Sequence, residues 1–120
     1  MIEDYQFSSI TIDGEMYNHD VQIFWTGQVF DWWRKESHII DVEDIIDTVE
    51  QNPESIVIGT GQSGMAEVTE AAKKFITARG IKLFVDHTEQ AVKTFNIRQE
   101  DSQEENGKPE KVIGLFHLTC

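Results

Sequence analysis

One hundred and twenty residues carry 10 Lys and Arg against 22 Asp and Glu, a formal charge of −12 with four neutral histidines, and 39% hydrophobic residues. That length suits one domain with one core, and so acidic a surface repels nucleic-acid phosphates and anionic lipid heads, which argues against both as partners. No apolar run nears the about 18 residues of a membrane span, and the acidic opening MIEDYQF has neither a secretory nor a mitochondrial leader pattern, so a cytoplasmic protein is expected. In chain order, YQFSSITID and VQIFW alternate β-branched and aromatic residues with polar ones. They predict strands over Tyr5 to Ile12, Glu15 to Tyr17 and Val21 to Trp25, and an extended piece from Val29 to Trp33. Asp13-Gly14 marks a turn and Gly27 a break.

From Asp41 the period changes. Val42, Ile45, Ile46 and Val49 form one helical stripe, capped by Asp41 and stopped by Asn52-Pro53. Ser55 to Ile58 reads as a strand buried on both faces. Met65, Val68, Ala72, Phe75 and Ile76 predict a second helix ending at Gly80, and Ile81 to Val85 another buried strand. Thr88 opens a third helix that ends near Asn96, residues 99–110 (QEDSQEENGKPE) read as an exposed acidic loop, and Lys111 to Leu118 returns as an inner strand. Helices between buried strands imply right-handed crossovers. The expected fold is a single three-layer α/β/α domain over residues 1–120, with a central mixed, partly parallel sheet and a β-rich N-terminal part.

The stretch IVIGTGQSG (56–64) places Gly59, Gly61 and Gly64 in G-x-G-x-x-G spacing between strand and helix, and Asp86 ends the next strand about 20 residues on, where an acid can meet a ribose. Three features weigh against a dinucleotide. The second mononucleotide half has no room, Asp86 leads into the helix that Thr88 caps, and glycine at such a corner serves positive φ or close packing without a ligand. No GKS or GKT follows, so no triphosphate loop is present. No cofactor is therefore expected. The alternative is a small-anion-binding protein or enzyme using a cleft near Arg34 and the Gly59–Gly64 loop, the anion held by the amides around Gly61 to Met65 and by Arg34 if it faces the loop, with His38 as the candidate acid or base.

Trp32-Trp33-Arg34 with His38 is the second constellation, where a guanidinium could stack on indole or hold an anion. His19, His38, His87 and His117 show no metal-ligand spacing, and His117, inside a buried strand, reads as a hydrogen-bonded core histidine. Ser63 lacks the G-x-S-x-G frame of a hydrolase. The lone Cys120 forms neither an internal disulfide nor a thiolate cluster.

Tyr17 with Asp20, DWWRKESH (31–38), IVIGTGQSGM (56–65), DHTEQAVKTFN (86–96) and LFHLTC (115–120) together resemble a small α/β domain family of unknown function with a methanogen prototype. The family includes the adipogenesis-associated domain-containing protein and, remotely, a mitochondrial complex I assembly factor. The resemblance implies a three-layer domain without established catalysis, and in some members a role in assembling other proteins. It places motif positions at Trp33, Arg34, His38, Gly59, Thr60, Gly61 and Thr88 with Asn96, while Ser37 departs from the glycine expected before the histidine. The resulting expectation is a non-enzymatic binding or assembly module with a protein partner, catalytic residues and metal absent, and a homo-oligomer compatible with the sequence. The candidate ligand-binding residues are Trp33, Arg34, His38, Gly59, Thr60, Gly61 and Gly64.

Overall fold

The computed structural model describes the backbone of residues 1–106 and 110–120, and the side chains outside 101–109. The first predicted strand is a hairpin instead. β1 (Ile2–Gln6) and β2 (Ser9–Ile12) pair antiparallel around Phe7-Ser8, with Ser8 at φ 68°. Nothing in YQFSSITI announces that turn, because serine, not glycine, takes the left-handed position. The Asp13-Gly14 turn forms as expected, both residues at positive φ, and brings β3 (Glu15–Tyr17) beside β2.

A five-stranded sheet dominates the chain, built from β4 (Val21–Phe24), β5 (Val29–Asp31), β7 (Ser55–Thr60), β9 (Lys82–Asp86) and β10 (Val112–His117) in the order β5-β4-β10-β7-β9. The members β10, β7 and β9 pair parallel, whereas β4 pairs antiparallel with both β10 and β5. The sheet is thus mixed, as expected. A short parallel pair, β6 (Ile39–Ile40) with β8 (Glu67–Val68), lies outside it.

Every residue of β7 and β10 is buried, which is what apolar runs such as SIVI and VIGLFH require: cover on both faces. One cover packs Ile45 and Val49 of α1 (Val42–Glu50) and Ala72 and Ile76 of α2 (Glu70–Thr77) onto Ile56, Ile58, Ile113 and Leu115. The other packs Ala91, Val92 and Phe95 of α3 (Thr88–Asn106), with Ile10 and Ile12, onto Val57, Val112 and Phe116. The apolar interior is therefore split into two layers by the sheet. Asp41 and Asp44 form a reciprocal capping box on α1, and Thr69 caps α2 through the Ala72 amide.

Two helix boundaries differ from the sequence reading. The second helix starts at Glu70, not Met65, because residues 61–68 bend and then extend to pair with β6. The third runs to Asn106 rather than ending near Asn96, so the backbone of 99–106 is helical where a loop was expected, and Gln99 is buried. Gln and Glu are good helix formers, and no glycine or proline interrupts the run before Gly107. The exposure expected of the acidic segment over 101–109 lies outside the described side chains.

Candidate functional site

The glycine corner is closed by the chain's own C-terminal residues. The Gln62 amide donates to Thr119 O at 2.7 Å and the Met65 amide to Cys120 O at 2.8 Å. The Gly61 amide donates to Thr88 Oγ1 at 2.8 Å, and that hydroxyl in turn donates to His117 O at 2.6 Å. Gly64 and Ala66 amides donate to Gly61 O and Thr60 O. These are the donors a phosphate loop would offer, and they are already engaged. α2 begins only at Glu70, and its Ala72 and Lys73 amides donate to Thr69 Oγ1 and Thr69 O.

Close backbone approach explains Gly59 and Gly61, and positive φ explains Gly64, where only the exposed His87 ring is near. A Cβ on Gly61, at φ +107°, would lie 2.3 Å from the Cys120 carbonyl carbon and 2.7 Å from Thr119 O. One on Gly59 would meet Thr88 Oγ1 at 2.8 Å, and one on Gly64 the His87 Nε2 at 2.7 Å. Asp86, the acid at ribose spacing, accepts the His87 amide through Oδ1 at 2.8 Å.

Arg34 does not face this corner. Its side chain is 4% exposed and lies against Asp20, which precedes β4, and His117, which ends β10. Nη1 is 2.7 Å from Asp20 Oδ2, an ion contact off the hydrogen-bond direction, while Nη2 donates to Ser37 O at 2.8 Å. Nη2 also lies 2.9 Å from His117 Nδ1, itself 2.8 Å from Asp20 Oδ2. One nitrogen cannot accept from Arg34 and donate to Asp20 at once, so the imidazole proton selects between the two contacts. Asp20 Oδ1 accepts the Leu118 amide at 2.8 Å. Burial pushes the Asp20 carboxyl up, but its contact with the His117 imidazole, the Leu118 amide it accepts and the adjacent Arg34 guanidinium charge outweigh it and hold the group below its ordinary value. The Arg34 guanidinium carbon sits 4.5 Å from the Trp32 ring centroid, and Trp32 Nε1 donates to Asp44 O at 3.1 Å.

The two tryptophans thus divide. Trp32 is core, and Trp33 is 78% exposed. Trp33 and Arg34 line a pocket of about 430 Å³ with His19, Asp20, Asp31 and Ser37. Thr60 and Gly64 line a separate one with His87, Gly61 is covered by the C-terminal residues, and exposed His38 stacks edge-on at 5.9 Å from the buried His117 ring. The cleft expected to unite Arg34 with the loop amides is not formed. Sequence reasoning did not assign Asp20 and His117 to a site with Arg34, since 97 positions separate them and only β4–β10 pairing brings them together. A signal was present in the acid just before a strand and in the one polar residue of VIGLFH.

The family model for a protein of unknown function (DUF498/DUF598) matches residues 2–106. The chain belongs to this family. Among solved structures, conserved hypothetical protein PH1505 from Pyrococcus horikoshii OT3 is 23% identical, covering 100% of this chain and 99% of that one, with a TM-score of 0.81. The protein MT938 is 26% identical over 100% and 98%, with a TM-score of 0.77. A Bordetella parapertussis protein is 18% identical over 98% and 93%, with a TM-score of 0.76. These structures share the mixed α/β architecture described above. Among the described residues, no helix is long and apolar enough to cross a membrane, and no group of three or more His, Cys, Asp or Glu is placed to hold a metal.

Proposed function

We propose that this DUF498/DUF598 protein is a binding module without turnover, and that its recognition surface, the pocket at Trp33, takes a basic segment of a partner protein. The supporting observation is an indole 78% exposed beside Asp31, whose side chain is 87% exposed, while the neighbouring cation, Arg34, is already ion-paired with Asp20. Tryptophan is among the residues most enriched at the energetic centres of interfaces, and an indole face attracts guanidinium or ammonium groups. Glu36, Asp41, Glu43 and Asp44 line a second depression of about 250 Å³ together with Lys35. The charge of −12 favours encounter with a cationic partner. The sequence resemblance to proteins with assembly roles points the same way.

Isothermal titration with arginine- and lysine-rich peptides, against glutamate-rich controls, tests the reading. Cationic peptides are expected to bind, and Trp33→Ala to abolish binding while leaving the melting temperature unchanged. Absence of binding by every cationic peptide, or binding indifferent to Trp33→Ala, would overturn it.

A further inference from the structure

β9 forms one edge of the central sheet and reads Lys82-Leu83-Phe84-Val85-Asp86. Its inner side is taken by β7: the Lys82 amide donates to Glu54 O at 3.1 Å, and the register runs from Ser55–Lys82 to Gly59–Asp86. In a parallel ladder alternate residues turn their backbone groups to opposite neighbours. With Lys82, Phe84 and Asp86 turned to β7, the N–H and C=O of Leu83 and Val85 face outward. Lys82, Val85 and Asp86 are exposed and Leu83 and Phe84 half-buried, whereas β7 and β10 are wholly buried. The strand has no proline, glycine or register shift to blunt pairing. The opposite edge, β5, is three residues long.

We propose that β9 pairs antiparallel with β9 of a second copy of this chain, about a two-fold axis at Phe84. The outward groups at 83 and 85 restrict two-fold pairing within the strand to axes at residues 83, 84 or 85. An axis at Leu83 sets Lys82 against Phe84, and one at Val85 sets Asp86 against Phe84. The axis at Phe84 pairs all five residues, lets Leu83 and Val85 exchange reciprocal hydrogen bonds, and places Lys82 opposite Asp86 at both ends. The strand is therefore complementary to itself in charge and in backbone phase.

Side chains fit the same register. Leu83 packs with the α2 layer and Phe84 with the α3 layer, so exposed Val85 is covered by the second copy's Leu83, and the lysine–aspartate pairs fall on the α3 face. A groove of about 290 Å³ beside Phe84, Ala91 and Thr94 leaves room there. Arg98 lies over the Phe84 ring at 4.5 Å and is held by two hydrogen bonds to Glu110, so it does not compete for Asp86.

Sedimentation velocity at physiological salt, which screens the repulsion between two acidic copies, tests the proposal up to several hundred micromolar. The wild-type chain is expected to dimerise. Lys82→Asp sets Asp against Asp at both ends and weakens the dimer about tenfold or more, Asp86→Lys does the same, and the double swap restores it. Val85→Pro removes an outward amide without touching β7, and is expected to leave the melting curve near wild type while abolishing the dimer. A wild-type monomer at every concentration, a dimer indifferent to either single swap or to the proline, or a double swap that fails to restore pairing would each overturn it.

Discussion

Replacing Gly61 with alanine separates steric necessity from conformational preference. The added methyl would fall 2.3 Å from the Cys120 carbonyl carbon and 2.5 Å from its oxygen, both backbone atoms that cannot swing aside as a side chain would. The positive φ costs about 1–3 kcal/mol for a residue with a Cβ. Moving residues 119–120 away also breaks the hydrogen bonds to the Gln62 and Met65 amides, at about 0.5–1.5 kcal/mol each. The expected loss is about 3 kcal/mol. Gly80 is the control, for it has positive φ too, but a methyl there meets nothing within 4 Å, so Gly80→Ala should cost only about 1 kcal/mol. An unfolding entropy of about 2.1 cal/mol/K per residue gives roughly 0.25 kcal/mol/K for 120 residues, so the melting temperature should fall about 12 °C for Gly61→Ala and about 4 °C for Gly80→Ala. Differential scanning calorimetry reads both. Equal shifts would refute the close-approach reasoning.

Asp20→Asn leaves Arg34 buried without its counter-charge, and urea denaturation at neutral pH should show a loss of about 3 kcal/mol. Because the folded Asp20 value lies below its ordinary 3.8, its contribution is complete above that value and lost as pH falls through the folded one. Glu110 behaves likewise below its ordinary 4.5: burial raises it, but bonds from Arg98 and Ser55 and the charges of Arg98 and Lys82 lower it further. Wild-type stability should therefore decline below roughly pH 4.5, with a shallower acid limb in Asp20→Asn; identical limbs would contradict the assignment. Thr88→Val strips a buried hydroxyl that accepts from Gly61 and donates to His117 O, for a cost of about 2–3 kcal/mol in chemical denaturation. Thr88→Ser should recover most of that loss.

Much of the architecture was legible because its signals are local and mutually consistent. The Asp41 cap, the stripe through Val49 and the Asn52-Pro53 stop define α1 within a dozen residues, and Asn52 indeed takes φ 54°. The unbroken apolar character of SIVI and VIGLFH declares inner strands without any partner in view. What failed to read depends on distant partners. Met65 and Val68 carry helical spacing, yet β6 recruits Glu67 and Val68 into an extended pair, and Ser8 turns the chain without a glycine. The candidate site was half visible: Trp33 and Arg34 do share a pocket, whereas Arg34 is joined to Asp20 and His117 by strand pairing that no local pattern encodes. The glycine spacing was legible as a corner, but its occupant, residues 119–120 of the same chain, is set by the central placement of β10.

Hydrogen exchange at the amides of Gln62 and Met65 tests most directly that the glycine corner is filled by the chain itself. Slow exchange in buffer free of phosphate and nucleotide, unchanged when inorganic phosphate or a dinucleotide is added, is the expected result for donors bonded to Thr119 and Cys120. Rapid exchange at both amides that slows only when the phosphate or dinucleotide is added would contradict it.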